Sequence, residues 1–356
     1  MICDCRWKGG MIMKKFRIGM IGAGKIAEVL HIPNVLNSDL AELVAISDPN
    51  ADRLQYITKK FSLTNVKVFR DYKDIVNGDL VDAVIVAVPN HLHASVSIDA
   101  LEHGKHVLVE KPMATNSIEA NRMVESARKS GKVLMVNLSQ RFFPHNQKAR
   151  EIIQSGMIGE IRLVKAVFGH SGPENWTQNV GWFFDKDKAA FGALGDLGVH
   201  KIDLIRYITG LEIEECVALT ATLEKNANVE DIANGVMRLS NGALATLDAN
   251  WITKGLEENY VAIYGENGTL KVGQTDPTKI DLYMVKPIAY HGEIVLKPLF
   301  TNEDPYWKLP VADHFIKVCL GLEKPIIRPE DGSISIRIIE KFIESNRLQK
   351  VVKIND

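Results

Sequence analysis

A short apolar run, Phe16–Ile21, leads directly into Gly22, Gly24 and Ala27 in G-x-G-x-x-A spacing, and a helical pattern follows. A strand that turns through glycines into a helix leaves its first edge open to a parallel neighbour, so the turn constrains everything after it. Further strand candidates are Leu43–Ser47, Val66–Phe69, Ala83–Val88, His106–Glu110 and Val133–Asn137, with helical patterns between most of them. One helix is expected to start at Asn116, with Glu119 three residues on as a capping partner, and to stop at Gly131. Strands alternating with helices build an α/β unit, a doubly wound parallel sheet covered on both faces.

The glycine turn has a chemical reading. A diphosphate needs close backbone approach, and a helix N-terminus supplies free N–H groups and the positive end of a dipole. Ala27 lets the helix pack close to the strand. A glycine fingerprint alone is weak, but "LVAISDPN" ends the second strand with Asp48, where a carboxylate accepts from an adenosine ribose. The bland alternative is a tight turn and a helix-capping surface Asp. The combined pattern favours dinucleotide binding, and Asp48 favours NAD, with NADP as the alternative because Arg53 lies nearby. "VIVAVPNHLHA" places Pro89, Asn90, His91 and His93 at the C-terminal end of the fourth strand, where doubly wound sheets bind ligands. A metal at His91 and His93 lacks a third ligand, so a helix start or cofactor contact is the better reading.

The texture changes after about residue 150. A helix is expected over Leu194–Ile208, then β-rich sequence from Ile213 to about Leu299. Asn241-Gly242 and Asn267-Gly268 mark two hairpins and hence a largely antiparallel sheet. Helices about Val311–Leu320 and Ser333–Asn346 close the chain and are expected to pack back on the first domain. The expected division is 1–13 as a disordered tail or over-long start, 14–143 as the dinucleotide-binding domain, and 144–356 as a substrate-binding and oligomerisation domain. Lys and Arg total 43 against 44 Asp and Glu, a net charge of -1, which gives no reason to propose nucleic acid or an anionic membrane. No apolar run approaches the roughly 20 residues that span a bilayer. Four cysteines, Cys3, Cys5, Cys216 and Cys319, make no disulfide framework and suit a reducing, cytoplasmic setting. Cys3 and Cys5 lack a second cluster, so no metal is expected.

Two motifs carry the remaining signal. "GKHVLVEKPMA" runs an apolar strand into Glu110 and Lys111, with Pro112 restricting Lys111 to extended geometry. "GALGDLGVHKIDLIRYITG" sets Asp196, His200 and Asp203 at i, i+4 and i+7 on one helix face. Alone, that helix reads as a structural His–Asp pair. Together with "GAGKIA", "VAVPNHLHA", "NGALATLDANW" and "IYGENGTLKV", in this order and over nearly all of Lys15 to about Val352, the chain resembles the glucose-fructose oxidoreductase / inositol dehydrogenase / MocA (Gfo/Idh/MocA) family. Phe191 departs from the glycine run many members carry before the helix.

The resemblance implies a Rossmann domain followed by a C-terminal α/β domain with an open, mostly antiparallel sheet. It implies NAD(P)-dependent oxidation or reduction of a sugar, cyclitol or related polyol by a homodimer or homotetramer. Lys111, Asp196 and His200 are the implied catalytic residues, and Lys111-Pro112 is implied to be cis. Neutral His200 suits proton removal, Asp196 would orient its ring or hold a hydroxyl, and the Lys111 ammonium would stabilise charge on oxygen. Cofactor contacts are expected at Gly22, Gly24, Lys25, Ile26, Asp48, Pro89, Asn90, His93, Glu110 and Lys111. Substrate contacts are expected at Arg141, Trp176, Asn179, Trp182, Asp196 and His200, with Phe143 and Trp307 as weaker candidates. Two rival readings remain: an NAD-dependent glycoside hydrolase of the same fold, and a non-catalytic NAD(P)-sensing regulator, disfavoured because all three catalytic residues are present.

Overall fold

The first sheet assembles outward from β1 (Phe16–Ile21), whose buried inner residues Ile18, Met20 and Ile21 are flanked by parallel β2 (Ala41–Ser47) and β4 (Ala83–Val86). With β3 (Lys67–Phe69), β5 (His106–Val109) and β6 (Leu134–Val136) it forms a six-stranded parallel sheet in the order β3-β2-β1-β4-β5-β6. The order reverses direction at β1, so the crevice beyond the ends of β1 and β4 is a topological switch point. The inner strands β1, β4 and β5, with β6, are largely buried on both faces because helices cover each side, whereas the edge strand β3 is mostly exposed. In the computed structural model the described residues are 15–177, 180–273, 279–286, 289–295 and 309–355.

The crossovers include α1 (Ile32–Leu36), α2 (Ala51–Lys60), α3 (Lys73–Val76), α4 (Asn90–Glu102) and α5 (Ser117–Ser130). Helix α5 has the expected ends: Asn116 Oδ1 accepts from Glu119 N at 2.9 Å, and Gly131 closes the helix at φ 65°. Gly22 sits at φ 95°, and a Cβ there would lie 2.3 Å from the Ala87 carbonyl oxygen. The first glycine is therefore required by the chain just after β4 as well as by the turn itself.

After α6 (Pro144–Gln154) the chain enters β7 (Ile161–Gly169), crosses α7 (Lys186–Ala189) and α8 (Val199–Thr209), and continues as β8 (Ile213–Ala221), β9 (Ile232–Leu239) and β10 (Leu244–Asn250). Next come β11 (Glu258–Gly265), β12 (Gly268–Val272), β13 (Lys279–Met284) and β14 (Tyr290–Val295), then α9 (Val311–Cys319), α10 (Pro329–Leu348) and β15 (Val352–Lys353). The described strands form a nine-stranded sheet in the order β14-β13-β12-β11-β7-β10-β9-β8-β15, antiparallel except for β7 with β10. Both Asn-Gly hairpins form as expected, β9 with β10 and β11 with β12. Helix α10 packs on β8 and also on α5 and β6, fastening the C-terminal end to the first domain. Among the described residues no helix is long and apolar enough to cross a membrane.

Candidate active site

Two chain segments meet beyond the end of β5. The first is Glu110-Lys111-Pro112, with Lys111-Pro112 cis. The second is a π-helical turn, Leu194–Gly198, that runs into α8 and carries Asp196. π-turns inside helices are frequent at functional sites, because the wider turn re-aims side chains. Lys111 Nζ donates to Asp196 Oδ1 at 2.6 Å and to the Asp196 carbonyl at 2.8 Å. Asp196 Oδ2 accepts from Trp251 Nε1 at 3.1 Å. Burial alone would raise the Asp196 pKa. The charges of Lys111 and His170 and the bonds from Lys111 and Trp251 outweigh it and hold the carboxyl below its ordinary value.

His200 lies one turn further on, buried, with its ring centroid 6.2 Å from that of Phe168. Its Nδ1 is buried and has no hydrogen-bond partner among the described residues. Burial pushes its pKa down to about 3, with the Lys111 ammonium adding to the effect and Asp196 and Glu110 opposing it. The imidazole is therefore neutral at ordinary pH. The expected Asp196–His200 contact is not made: both Asp196 oxygens are taken by Lys111 and Trp251.

The cofactor side fits a dinucleotide. Asp48 Oδ2 accepts from Ala23 N at 2.8 Å and its Oδ1 from Asn50 N at 2.8 Å, so the acidic residue is tied to the glycine turn. A Cβ on Gly24 would meet nothing within 4 Å, leaving open room at the helix start, where Lys25 and Ile26 are partly exposed. Pro89 is the N-cap of α4. Asn90 donates from Nδ2 to the Ala189 carbonyl at 3.0 Å, which ties this loop to the second domain.

Three expected ligand contacts are corrected. His93 is 1% exposed, and its ring nitrogens lie against the carbonyls of Pro112 (2.7 Å) and Val88 (2.8 Å), so it clamps the loops after β4 and β5 rather than reaching a cofactor. Glu110 Oε1 accepts from His31 Nε2 at 2.7 Å and Asn137 Nδ2 at 2.6 Å, and Oε2 from Lys111 N at 3.1 Å. Burial would raise its pKa, but His31, Lys111 and Asn137 hold it near 2. Glu110 is thus an ionised bracket beneath Lys111. Arg141 is buried and donates to Asp203 (2.9 and 2.5 Å), Asp331 (3.1 Å) and the Ile326 carbonyl (2.8 Å). Its guanidinium joins α8 to α10, with four of its five N–H groups already committed to protein acceptors.

Trp176 is 39% exposed and meets Phe183 edge-on at 5.7 Å, while Trp182 stacks on Phe183 at 3.9 Å. Phe184, the next residue along the chain, meets Trp251 edge-on at 5.9 Å, and Trp251 in turn holds the Asp196 carboxylate. Asn179 and Trp307 lie outside the described residues. Trp251, His170 and Phe168 were not singled out from sequence. They sit at the paired C-terminal ends of β7 and β10, where Gly169 is opposite Asn250. Trp251 closes the motif NGALATLDANW, and Phe168 gave no signal beyond an aromatic near the end of a strand.

The chain matches known proteins in sequence and fold. Residues 16–138 match the model of the oxidoreductase family with an NAD-binding Rossmann fold, and 146–271 match the GFO/IDH/MocA C-terminal domain. A myo-inositol 2-dehydrogenase of Thermotoga maritima is 26% identical over 95% of this chain and 99% of its own. A dTDP-3,4-didehydro-2,6-dideoxy-alpha-D-glucose 3-reductase of Actinomadura kijaniata is 31% identical over 88% of each. Among solved structures, a levoglucosan dehydrogenase in complex with NADH and levoglucosan superposes with a TM-score of 0.86 at 22% identity, covering 96% of this chain and 100% of that one. The likeness in fold, the NAD-binding first domain and the match across both domains lead to one conclusion: this chain belongs to the Gfo/Idh/MocA family of NAD-binding oxidoreductases.

Proposed function

We propose that the protein is an NAD-dependent dehydrogenase that interconverts a secondary hydroxyl of a sugar, cyclitol or related polyol with the corresponding ketone. The observation that carries this reading is the joining of Lys111 and Asp196 at 2.6 Å beside a neutral His200 whose Nδ1 has no hydrogen-bond partner among the described residues. Nicotinamide supplies the hydride acceptor. His200 takes the hydroxyl proton as the carbon-bound hydride leaves. The Lys111 ammonium, fixed by Asp196 and braced from below by Glu110, stabilises the developing charge on oxygen. Asp196 positions Lys111 rather than His200. The aromatic rings of Trp176 and Trp182 offer apolar faces to the C–H faces of a sugar ring.

The outer face of the second sheet exposes Val217, Leu219, Val236 and Leu244 from adjacent strands β8, β9 and β10. Self-association through that face, as a dimer or tetramer, belongs to the same proposal. To test the activity, the purified protein and NAD are incubated with a panel of hexoses, inositols and sugar acids, and reduced nicotinamide is followed. Reduction with one class of polyol is expected. A protein that binds NADH but oxidises nothing in the panel contradicts the reading.

A further inference from the structure

Glu28 lies in the π-helical turn Ala27–His31 just after the glycine turn and is 6% exposed. Its Oε2 accepts from Arg53 Nη2 at 2.5 Å. Its Oε1 accepts from Lys60 Nζ at 2.6 Å and from Tyr56 Oη at 3.1 Å. Arg53 and Lys60 both sit on α2, the helix that begins just after Asp48. Arg53 also donates from Nε to the Ala23 carbonyl at 2.5 Å and from Nη2 to the Gly24 carbonyl at 3.2 Å, with its guanidinium 4.9 Å from the Tyr56 ring centre. Asp48 holds the N–H of the same Ala23. The ribose-binding carboxylate and the Arg53 guanidinium therefore grip the two backbone groups of one residue of the glycine turn, Ala23.

NADP differs from NAD by a 2′-phosphate placed where Asp48 meets the ribose, and an arginine nearby is what accommodates that phosphate. Here the cations nearest the position are already committed. We infer that Glu28 is a cofactor-specificity residue: it withholds Arg53 and Lys60 from the 2′-phosphate of NADP and so keeps the site selective for NAD. The inference rests on the NAD-binding reading of the glycine turn. Asp48, Glu28, Arg53 and Lys60 sum to no net charge, so within this group each cation already faces a carboxylate. Burial would raise the Glu28 pKa, but Lys60 and Arg53 hold it at about 2, so the restraint persists at any assay pH.

The test is Glu28→Gln, which keeps shape and hydrogen-bonding capacity but removes the charge. NADH and NADPH are titrated against wild type and variant by nicotinamide fluorescence, a binding readout that needs no substrate. Hydrogen bonds to charged groups are worth about tenfold to a hundredfold in affinity. The ratio of NADPH to NADH affinity is expected to rise by that much in Glu28→Gln and to return when Arg53→Met is added. An unchanged ratio, including equal weakening of both, overturns the inference and makes Glu28 a brace for the glycine turn. Should Glu28→Gln fail to fold, Arg53→Met in the wild-type background decides instead: withheld cations leave the ratio unchanged, and a fall shows that Arg53 already serves a phosphate. If wild type binds neither dinucleotide, it is the cofactor reading that fails. If it binds NADH and the ratio does not move, only the role of Glu28 fails.

Discussion

Replacing Lys111 with Met keeps the length of the side chain and deletes the charge that Asp196 holds. Breaking a fully buried ion pair from one side typically costs about 3–5 kcal/mol. Here the lysine side chain is 20% exposed, and Asp196 keeps its bond from Trp251. The expected loss is about 2 kcal/mol at neutral pH. Its pH dependence follows from Asp196, whose pKa is lowered in the native protein. A depressed carboxyl contributes stability that is present above its unfolded value and lost as pH falls through the folded one. Without Lys111, burial dominates and Asp196 takes up a proton at higher pH, so the variant no longer carries an uncompensated charge in acid. The gap between the two proteins should therefore be wide at about pH 7 and narrow below about pH 4, the ordinary range for Asp. Urea unfolding at both pH values measures it. The same variant should transfer hydride about 10²–10³-fold more slowly, the usual effect of losing one donor to a developing oxyanion. Equal stability at both pH values and a wild-type rate would show that the ammonium neither balances Asp196 nor touches the reacting oxygen.

Trp251→Phe keeps the ring and removes the indole donor to Asp196. It should cost about 1–3 kcal/mol by thermal unfolding at neutral pH, the range for stripping one partner from a buried charge. Arg141→Lys cannot reproduce the fork to Asp203 and Asp331. It should lower stability by about 3–5 kcal/mol yet leave NADH titrations as in wild type, whereas a change confined to substrate KM would restore Arg141 to the binding site. Glu230 caps the start of the Asp196 helix, its Oε1 accepting from Gly192 N (2.8 Å) and Leu194 N (3.1 Å), and burial pushes its pKa up to about 7 despite those bonds. A raised carboxyl contributes stability that is full below its unfolded value and lost as pH rises through the folded one. Stability should thus fall by up to about 3 kcal/mol from pH 4.5 to pH 7 on account of this group, and Glu230→Gln should flatten that part of the urea-unfolding pH profile.

The parallel sheet was legible because its strands are short apolar runs closed by local punctuation. β1 runs from Phe16 to Ile21 as read, and Asn116 and Gly131 bound α5 as read. β7 was missed. Its sequence, IRLVKAVFG, is broken by charges, and it is held by β10 and β11, about 80 to 100 residues later, so no local turn announces it. The same distance hid the role of Trp251, which depends on β10 ending beside β7 near the Asp196 turn. At the site, the family resemblance singled out Lys111, Asp196 and His200, but nothing in the sequence showed which of them pair. An i, i+4 Asp and His suggest each other, yet a lysine from the other domain competes for the carboxylate at 2.6 Å. Arg141, Glu110 and His93 show the converse. Their side chains suit ligands, and only the folded packing reveals that Asp203, His31 and the Pro112 carbonyl already occupy them.

Single-turnover hydride transfer with NAD-saturated protein and the best substrate of the panel, followed from about pH 5 to pH 8, tests the acid–base assignment directly. With the His200 pKa pushed down to about 3, the ring stays neutral throughout, and wild type should show no loss of rate toward the acid end from this group. His200→Ala should be slower by about 10²–10⁴-fold, the usual contribution of a general base, with NADH affinity within a few-fold of wild type. A His200→Ala protein that transfers hydride at the wild-type rate would place the proton on another group and contradict the account.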